Sequence, residues 1–226
     1  MEIELVIFDL AGTTVEDNKD VHRVLQSAMK NFGISISIDD ANEVMGIPKP
    51  VAIEQLLRKM NYPTVSVNLI QEIHELFVSQ MTEFYRRDLH VKEKKGVSET
   101  FRKIKDHGVK VAVDTGFDRQ IADPLIERMG WRKNGLLDLS VTSDEVPNGR
   151  PHPDLIFRAM ELAGIKDVRK VAKVGDTPSD LQEVTSAGCG LVIGITSGAF
   201  KGSQLMNEPH THLIEEIPEI LPIIIL

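Results

Sequence analysis

The apolar run LVIF ends at Asp9 and is followed by Leu-Ala-Gly-Thr-Thr, residues 10–14. A carboxylate at a strand end, followed by a glycine-containing turn, can attack phosphorus. The N–H groups of Gly12 and Thr13 are expected to hold the phosphoryl oxygens meanwhile. A second apolar run ends at Thr115-Gly116, a third leads into VPNGRPHPD with Arg150, and a fourth into GDTPSD with Asp176 and Asp180. Asp176 and Asp180 straddle a turn and the start of a helical pattern, so both carboxylates can face one point. With Asp9 they offer hard oxygen donors of the kind that bind Mg²⁺. Such an ion and Arg150 would screen a phosphate enough for anionic Asp9 to attack it, with Thr115 as a neutral donor. Each feature alone reads more readily as a turn, a strand-end hydroxyl or a surface arginine. Their order, each at the end of a strand, carries the reading.

These strand ends need a sheet behind them. The runs at 5–9, 109–116, 136–143, 170–176 and 190–198 are short, rich in Val and Ile, and read as strands buried on both faces. Helical stripes separate them. HPDLIFRAMELAG and TPSDLQEVTSAG have Pro near the start and Gly past the end, the usual helix punctuation, and VSETFRKIKDHG stops at Gly108. Strands alternating with helices predict a doubly wound parallel α/β sheet, in which ligands sit beyond the carboxyl ends of the strands. Between Asp17 and Arg87 there are helical stripes and no strand, too long a stretch for an ordinary crossover. It predicts an inserted helical cap over 17–87, a core formed by 1–16 and 88–226, and hinges near 14–18 and 88–95.

Composition bounds the partners. The chain has 226 residues, 42% hydrophobic and 27% charged, with net charge −8, which argues against nucleic acid. The single cysteine, Cys189, rules out an internal disulfide framework. MEIELVIFD lacks the basic lead of a secretory signal, and no apolar run approaches membrane length. The expectation is a cytoplasmic monomer or homodimer that binds a small metabolite and neither nucleic acid nor membrane.

The set DLAGTT, VDTG, GRPHPD and VGDTPSD resembles the four motifs of the haloacid dehalogenase superfamily, over nearly the whole chain. The resemblance implies Asp9 as a nucleophile forming an aspartyl-phosphate. It implies Mg²⁺ held by Asp9, the Ala11 carbonyl and Asp176, with Thr115 as phosphate donor, Arg150 as the third-motif cation, and Asp180 on metal-bound water or that cation. The superfamily's dehalogenases need no metal, so the carboxylates of GDTPSD favour phosphorus chemistry.

Ala11 stands where most such loops carry a second aspartate, the acid that protonates a departing oxygen. Alanine within D-x-A-G-T, together with GRP, is similar to the phosphonoacetaldehyde hydrolase (phosphonatase) subgroup. There the leaving group departs through carbon as an enamine, and no oxygen has to be protonated. That chemistry needs an amine. The cap segment VMGIPKPVAI is similar to the subgroup's Met-Gly-x-x-Lys element, which implies Lys49 as the imine-forming lysine with Met45 and Gly46 beside it and Gly116 near the phosphoryl group. Two positions depart from the subgroup: a histidine three residues after the lysine is Ala52, and a tyrosine after the second motif is Phe117. The competing functions are a phosphatase of small monoesters, such as phosphoglycolate or sugar phosphates, and a phosphate-binding protein without turnover.

Other candidates read as structural. His22, His74, His90 and His107 are expected to be solvated, His152 to sit at a helix start, His210 and His212 in a loop, and Cys189 and Trp131 in packing.

Overall fold

Alternate residues of the first strand, β1 (Leu5–Phe8), face opposite ways, and both ways are apolar. Val6 and Phe8 belong to one buried cluster, Leu5 and Ile7 to another on the other face of the sheet. Such a strand must lie in the middle of a covered sheet, and it does. The computed structural model describes residues 2–225. Strands β2 (Lys110–Thr115), β3 (Leu139–Thr142), β4 (Val171–Gly175), β5 (Leu191–Ile195) and β6 (His212–Ile214) join β1 in a single sheet in the order β3-β2-β1-β4-β5-β6. Every pairing is parallel, with Phe8 opposite Val113 on one side and Val174 on the other. The chain order reverses at β1, so the ligand crevice of this fold lies beyond the carboxyl ends of β1 and its two neighbours.

Helices α1 (Asp20–Asn31), α2 (Ile38–Glu43), α3 (Lys49–Lys59) and α4 (Val67–Arg87) all fall between β1 and β2. Helix α4 packs on α1 and α3, and also on α6 (Arg119–Met129) of the sheet-covering layer. The remaining covering helices are α5 (Val97–Asp106), α7 (Asp154–Ala163) and α8 (Pro178–Ala187). Two chain segments connect the four-helix stretch to the sheet and run side by side. Val15 and Glu93 form an antiparallel bridge, and Lys94 N–H donates to the Thr14 carbonyl at 2.8 Å.

The covering helix α6 and the edge strand β6 went unread in the sequence, and β3 and β5 were read too long. Helix α6 carries Pro124 in its interior, which normally argues against a helix. The proline leaves the Gln120 carbonyl without its helical donor, and the Thr82 hydroxyl from α4 reaches it at 3.3 Å. Tertiary packing thus offsets the local defect. Strand β6 has three residues, lies at the sheet edge and begins with His212, so its polar start masked it within the expected loop. Strand β3 begins at Leu139, three residues later than its apolar run suggests.

Candidate active site

Asp9 leaves β1 directly into a buried ionic cluster. Arg150 Nη1 donates to Asp9 Oδ1 at 2.7 Å and lies 2.8 Å from Asp180 Oδ1, while its Nη2 donates to the Asp114 carboxylate at 2.5 Å and its Nε to Glu183 at 3.0 Å. Lys173, from the middle of β4, pairs with Asp114 and lies 3.3 Å from Asp180 and 3.7 Å from Glu183. All of these side chains are buried. Burial pushes Glu183 up to about 8, with the neighbouring Asp114 adding to the shift. Burial and Arg150 press Lys173 downward, yet Asp114, Asp180 and Glu183 outweigh them and hold it above its ordinary value. Arg150 is therefore spent on protein carboxylates, and its part is to hold Asp9 in one orientation.

The loop after Asp9 is a tight turn. Thr14 and Val15 N–H both donate to the Leu10 carbonyl at 2.9 Å, and the Thr14 hydroxyl donates to the Asp9 carbonyl at 2.8 Å. The N–H groups of Gly12 and Thr13, expected as phosphoryl donors, are instead committed inside the turn, to Val15 and Leu10 at 2.9 and 3.3 Å. Among the described residues, the N–H groups of Ala11 and Gly116 carry no hydrogen bond, and both residues line the cavity. Both are available to receive an anion.

Asp176 lies behind this turn, accepting from the Thr13 hydroxyl at 3.1 Å and from Ala199 N–H at 2.6 Å. Burial, followed by the charges of Asp9 and Asp180, raises Asp176 to about 7. Burial likewise raises Asp9 to about 6 against the pull of Arg150. Asp9 thus disfavours a second negative charge on Asp176, and two such buried oxygens plus a backbone carbonyl fit a hard divalent ion. The trio Asp9, Asp114 and Asp180 also brings its oxygens within 4.8 Å of one another. That second space belongs to the Arg150 and Lys173 cations, so the residues that fit a metal are Asp9, Ala11 and Asp176. Asp180 sits with the cations, where it also accepts from the Thr177 hydroxyl at 2.5 Å.

A cavity with about 40 Å³ of free volume joins Asp9, Ala11, Thr115, Gly116, Arg150 and Asp176 to Asp17, Met45, Gly46 and Lys49, with Phe117 in its wall. Gly12, Thr13 and Asp180, also predicted for the site, stand outside that lining. The segment 45–48 reaches this cavity by close contact. Gly46 has φ +84°, and a Cβ there would come within 2.3 Å of the Thr177 and Ser179 hydroxyls. A Cβ on Gly149 would meet Pro48 at the same distance.

Lys49 is 3% exposed. Its Nζ lies 5.6 Å from the centroid of Phe117 and 5.8 Å from that of Phe77, with one weak hydrogen bond to the Ile47 carbonyl at 3.4 Å. Burial lowers its pKa to about 8 against the opposing charge of Asp9.

Asp17, Asp114, Lys173 and Glu183 were not singled out by sequence reasoning. Lys173 had a signal: a lysine inside the apolar strand KVAKVG, buried on both faces, must find carboxylates. His22, expected to be solvated, is 1% exposed and 2.9 Å from Asn42 Oδ1. His74 pairs with Asp118 at 3.2 Å, and His152 is exposed. Trp131 is fully buried, and Cys189 is half-buried.

The chain is thus a parallel α/β fold with a carboxylate where such folds place their ligands. The model of the haloacid dehalogenase-like hydrolases matches residues 6–193. The chain belongs to that family and is a hydrolase. It is 29% identical to the phosphonoacetaldehyde hydrolase of Bacillus cereus over 96% of this chain and 86% of the relative. It is 30% identical to that of Bacillus anthracis with the same coverage. Among solved structures it resembles a phosphonoacetaldehyde hydrolase-like protein from Oleispira antarctica, with TM-score 0.87, 20% identity, and 99% and 92% of the two chains covered. A predicted phosphoglycolate phosphatase from Haemophilus somnus superposes with TM-score 0.81 and 21% identity, covering 99% of this chain and 98% of that one.

Proposed function

We propose that the protein cleaves a small phosphonate of the phosphonoacetaldehyde type, with Asp9 as nucleophile and Mg²⁺ as cofactor. The observation that carries this reading is Lys49: a buried amine, lowered to about 8, lining the same cavity as Asp9. A lysine acts as a nucleophile toward an aldehyde only when it is neutral, and desolvation makes it so. In the reaction we infer, Lys49 condenses with the aldehyde and loses water to give an iminium. Asp9 then attacks phosphorus, the C–P bond breaks, and its electron pair moves into the iminium to form an enamine. No oxygen leaves, so Ala11 has nothing to protonate. Mg²⁺ bound by Asp9, the Ala11 carbonyl and Asp176 would neutralise phosphoryl charge. Thr115 and the N–H groups of Ala11 and Gly116 would hold the phosphoryl oxygens, and Met45 and Gly46 would shape the cap side of the pocket. In this reading residues 17–87 are a cap that opens about the paired segments at 14–18 and 88–95.

A second reading is a phosphatase of small oxygen esters. Ala52 and Phe117 favour it, since both present apolar groups near Lys49. One experiment separates the two. Incubation with phosphonoacetaldehyde, Mg²⁺ and borohydride is expected to add a stable mass at Lys49, and Lys49→Arg to abolish both adduct and turnover. Activity that survives Lys49→Arg makes the lysine a specificity residue and selects the oxygen-ester reading. Asp9→Asn, nearly isosteric, is expected to abolish turnover in either case, and chelation of divalent metal to do the same. Turnover unchanged by chelation overturns both.

A further inference from the structure

Five ionisable side chains line the cavity, and the reaction above employs Asp9, Lys49, Arg150 and Asp176. Asp17 is left over. Its Oδ1 accepts from Asp20 N–H at 2.6 Å and from Val21 N–H at 3.3 Å, capping α1, so the carboxyl group is fixed in place. Its Oδ2 lies 3.9 Å from Nδ1 of buried His22. The other ring nitrogen of His22 is 2.9 Å from Asn42 Oδ1, and Asn42 Oδ1 also accepts from Lys19 Nζ at 2.7 Å. An oxygen partner makes His22 Nε2 the donor, which leaves a lone pair on Nδ1 of the neutral ring. That nitrogen has no hydrogen-bond partner in the protein. Asp17 thus lines the cavity with His22 Nδ1, an acceptor, 3.9 Å behind it.

The surrounding groups suit proton exchange. Burial raises Asp17 above the ordinary carboxylate range and lowers His22 below the ordinary imidazole range. The charged groups acting on His22 are Lys19 and Asp17 from its own segment and Lys49 from α3, with Asn42 from α2 as the neutral contact. Asp17 acts in turn on Lys49.

We propose that Asp17, backed by His22, is the proton carrier for imine formation at Lys49, which rests on the phosphonate reading of the site. In the carbinolamine formed from Lys49 and the aldehyde, the C–O bond breaks and its electron pair leaves with oxygen. That oxygen takes the Asp17 proton and departs as water, while the nitrogen lone pair closes the C=N bond and Asp17 is left as carboxylate. When water later adds to the iminium carbon, the carboxylate takes the proton of that water and is reset. Ala52 and Phe117 carry no titratable group, and Asp9 and Asp176 are taken up by phosphorus and metal in this reading, which leaves Asp17 as the carboxyl group for the task.

The test uses Asp17→Ser, which keeps an oxygen for the helix cap and makes room for a small acid. With phosphonoacetaldehyde and Mg²⁺, kcat is expected to fall by about 10²–10⁴-fold, with KM within about threefold of wild type. Added formate is expected to restore about tenfold or more in the variant and nothing in wild type. Asp17→Asn, which keeps the capping acceptor but cannot give a carboxyl proton, is expected to be as slow as Asp17→Ser. Turnover of Asp17→Ser within about threefold of wild type overturns the proposal. So does a loss that Asp17→Asn repairs, because that assigns Asp17 to capping alone, and so does a loss that formate leaves unchanged. A wild type that forms no borohydride-trapped adduct at Lys49 overturns the phosphonate reading itself, and the proposal with it. An adduct in wild type alongside an intact Asp17→Ser overturns only the proposal.

Discussion

Lys49 Nζ faces the ring of Phe117 at 5.6 Å from its centroid, and that ring belongs to the segment following Thr115. The aromatic face attracts the ammonium, yet burial dominates and the amine titrates near 8. The fraction able to attack an aldehyde is then about a tenth at pH 7 and a majority above 8. Trapping at Lys49 by borohydride should therefore rise about tenfold per pH unit up to about 8 and level off beyond it. A trapping rate that is flat from pH 6 to 9 would falsify the assignment.

The same group has a stability signature. In the unfolded chain Lys49 takes up its proton near 10.5, and in the fold only near 8. The unfolded state thus binds more protons between those values, and stability rises with pH across that window. Below it the full penalty for the buried charge is present, up to about 3 kcal/mol. Lys49→Met is expected to gain stability at pH 7 and to lose that advantage by pH 10.5, as followed by urea melts at several pH values.

Removing Lys173 should do the opposite. Asp114, Asp180 and Glu183 would keep their burial and lose a cation, a loss on the order of 3–5 kcal/mol for a broken buried pair. Lys173→Met is expected to lower the urea midpoint accordingly. Adding Glu183→Gln to it should recover part of the loss, because it removes one of the carboxyl groups left facing each other.

Ala11, two residues after Asp9, lines the cavity. Wild type is expected to be slow on alkyl phosphates, whose leaving oxygen needs a proton. Ala11→Asp should accelerate them by about ten- to a hundredfold if the new carboxyl reaches that oxygen. Rapid wild-type hydrolysis of alkyl phosphates would identify another acid in the cavity and refute the argument from Ala11.

Much of this was legible because it depends on local pattern. Val- and Ile-rich runs ending in Asp9, Thr115 and Asp176 define strands, their parallel order and the edge where polar groups gather. What stayed hidden depends on tertiary partners. Gln120 finds its donor in Thr82 from a helix far along the chain, so no local rule recovers α6. His22 looks like a polar position on an amphipathic helix until Asn42 of α2 covers it. The N–H groups of Gly12 and Thr13 look available from composition, and only the turn geometry reveals that they are used. Asp114 and Glu183 acquire meaning only beside Arg150 and Lys173, which lie on other elements of the chain.

The seat of the 45–48 segment on Gly149, Thr177 and Ser179 has a kinetic meaning. A cavity with about 40 Å³ of free volume has room for a few waters. Under the proposed function, unseating that segment would admit the substrate and a second unseating would free the product. Once the chemistry outruns those events, the turnover number measures the hinge rather than the carboxylates, and it acquires a dependence on solvent viscosity. Under the proposed function, selection among substrates would then work by bulk: a hexose phosphate would keep Pro48 from returning to Gly149 and leave Lys49 hydrated and protonated.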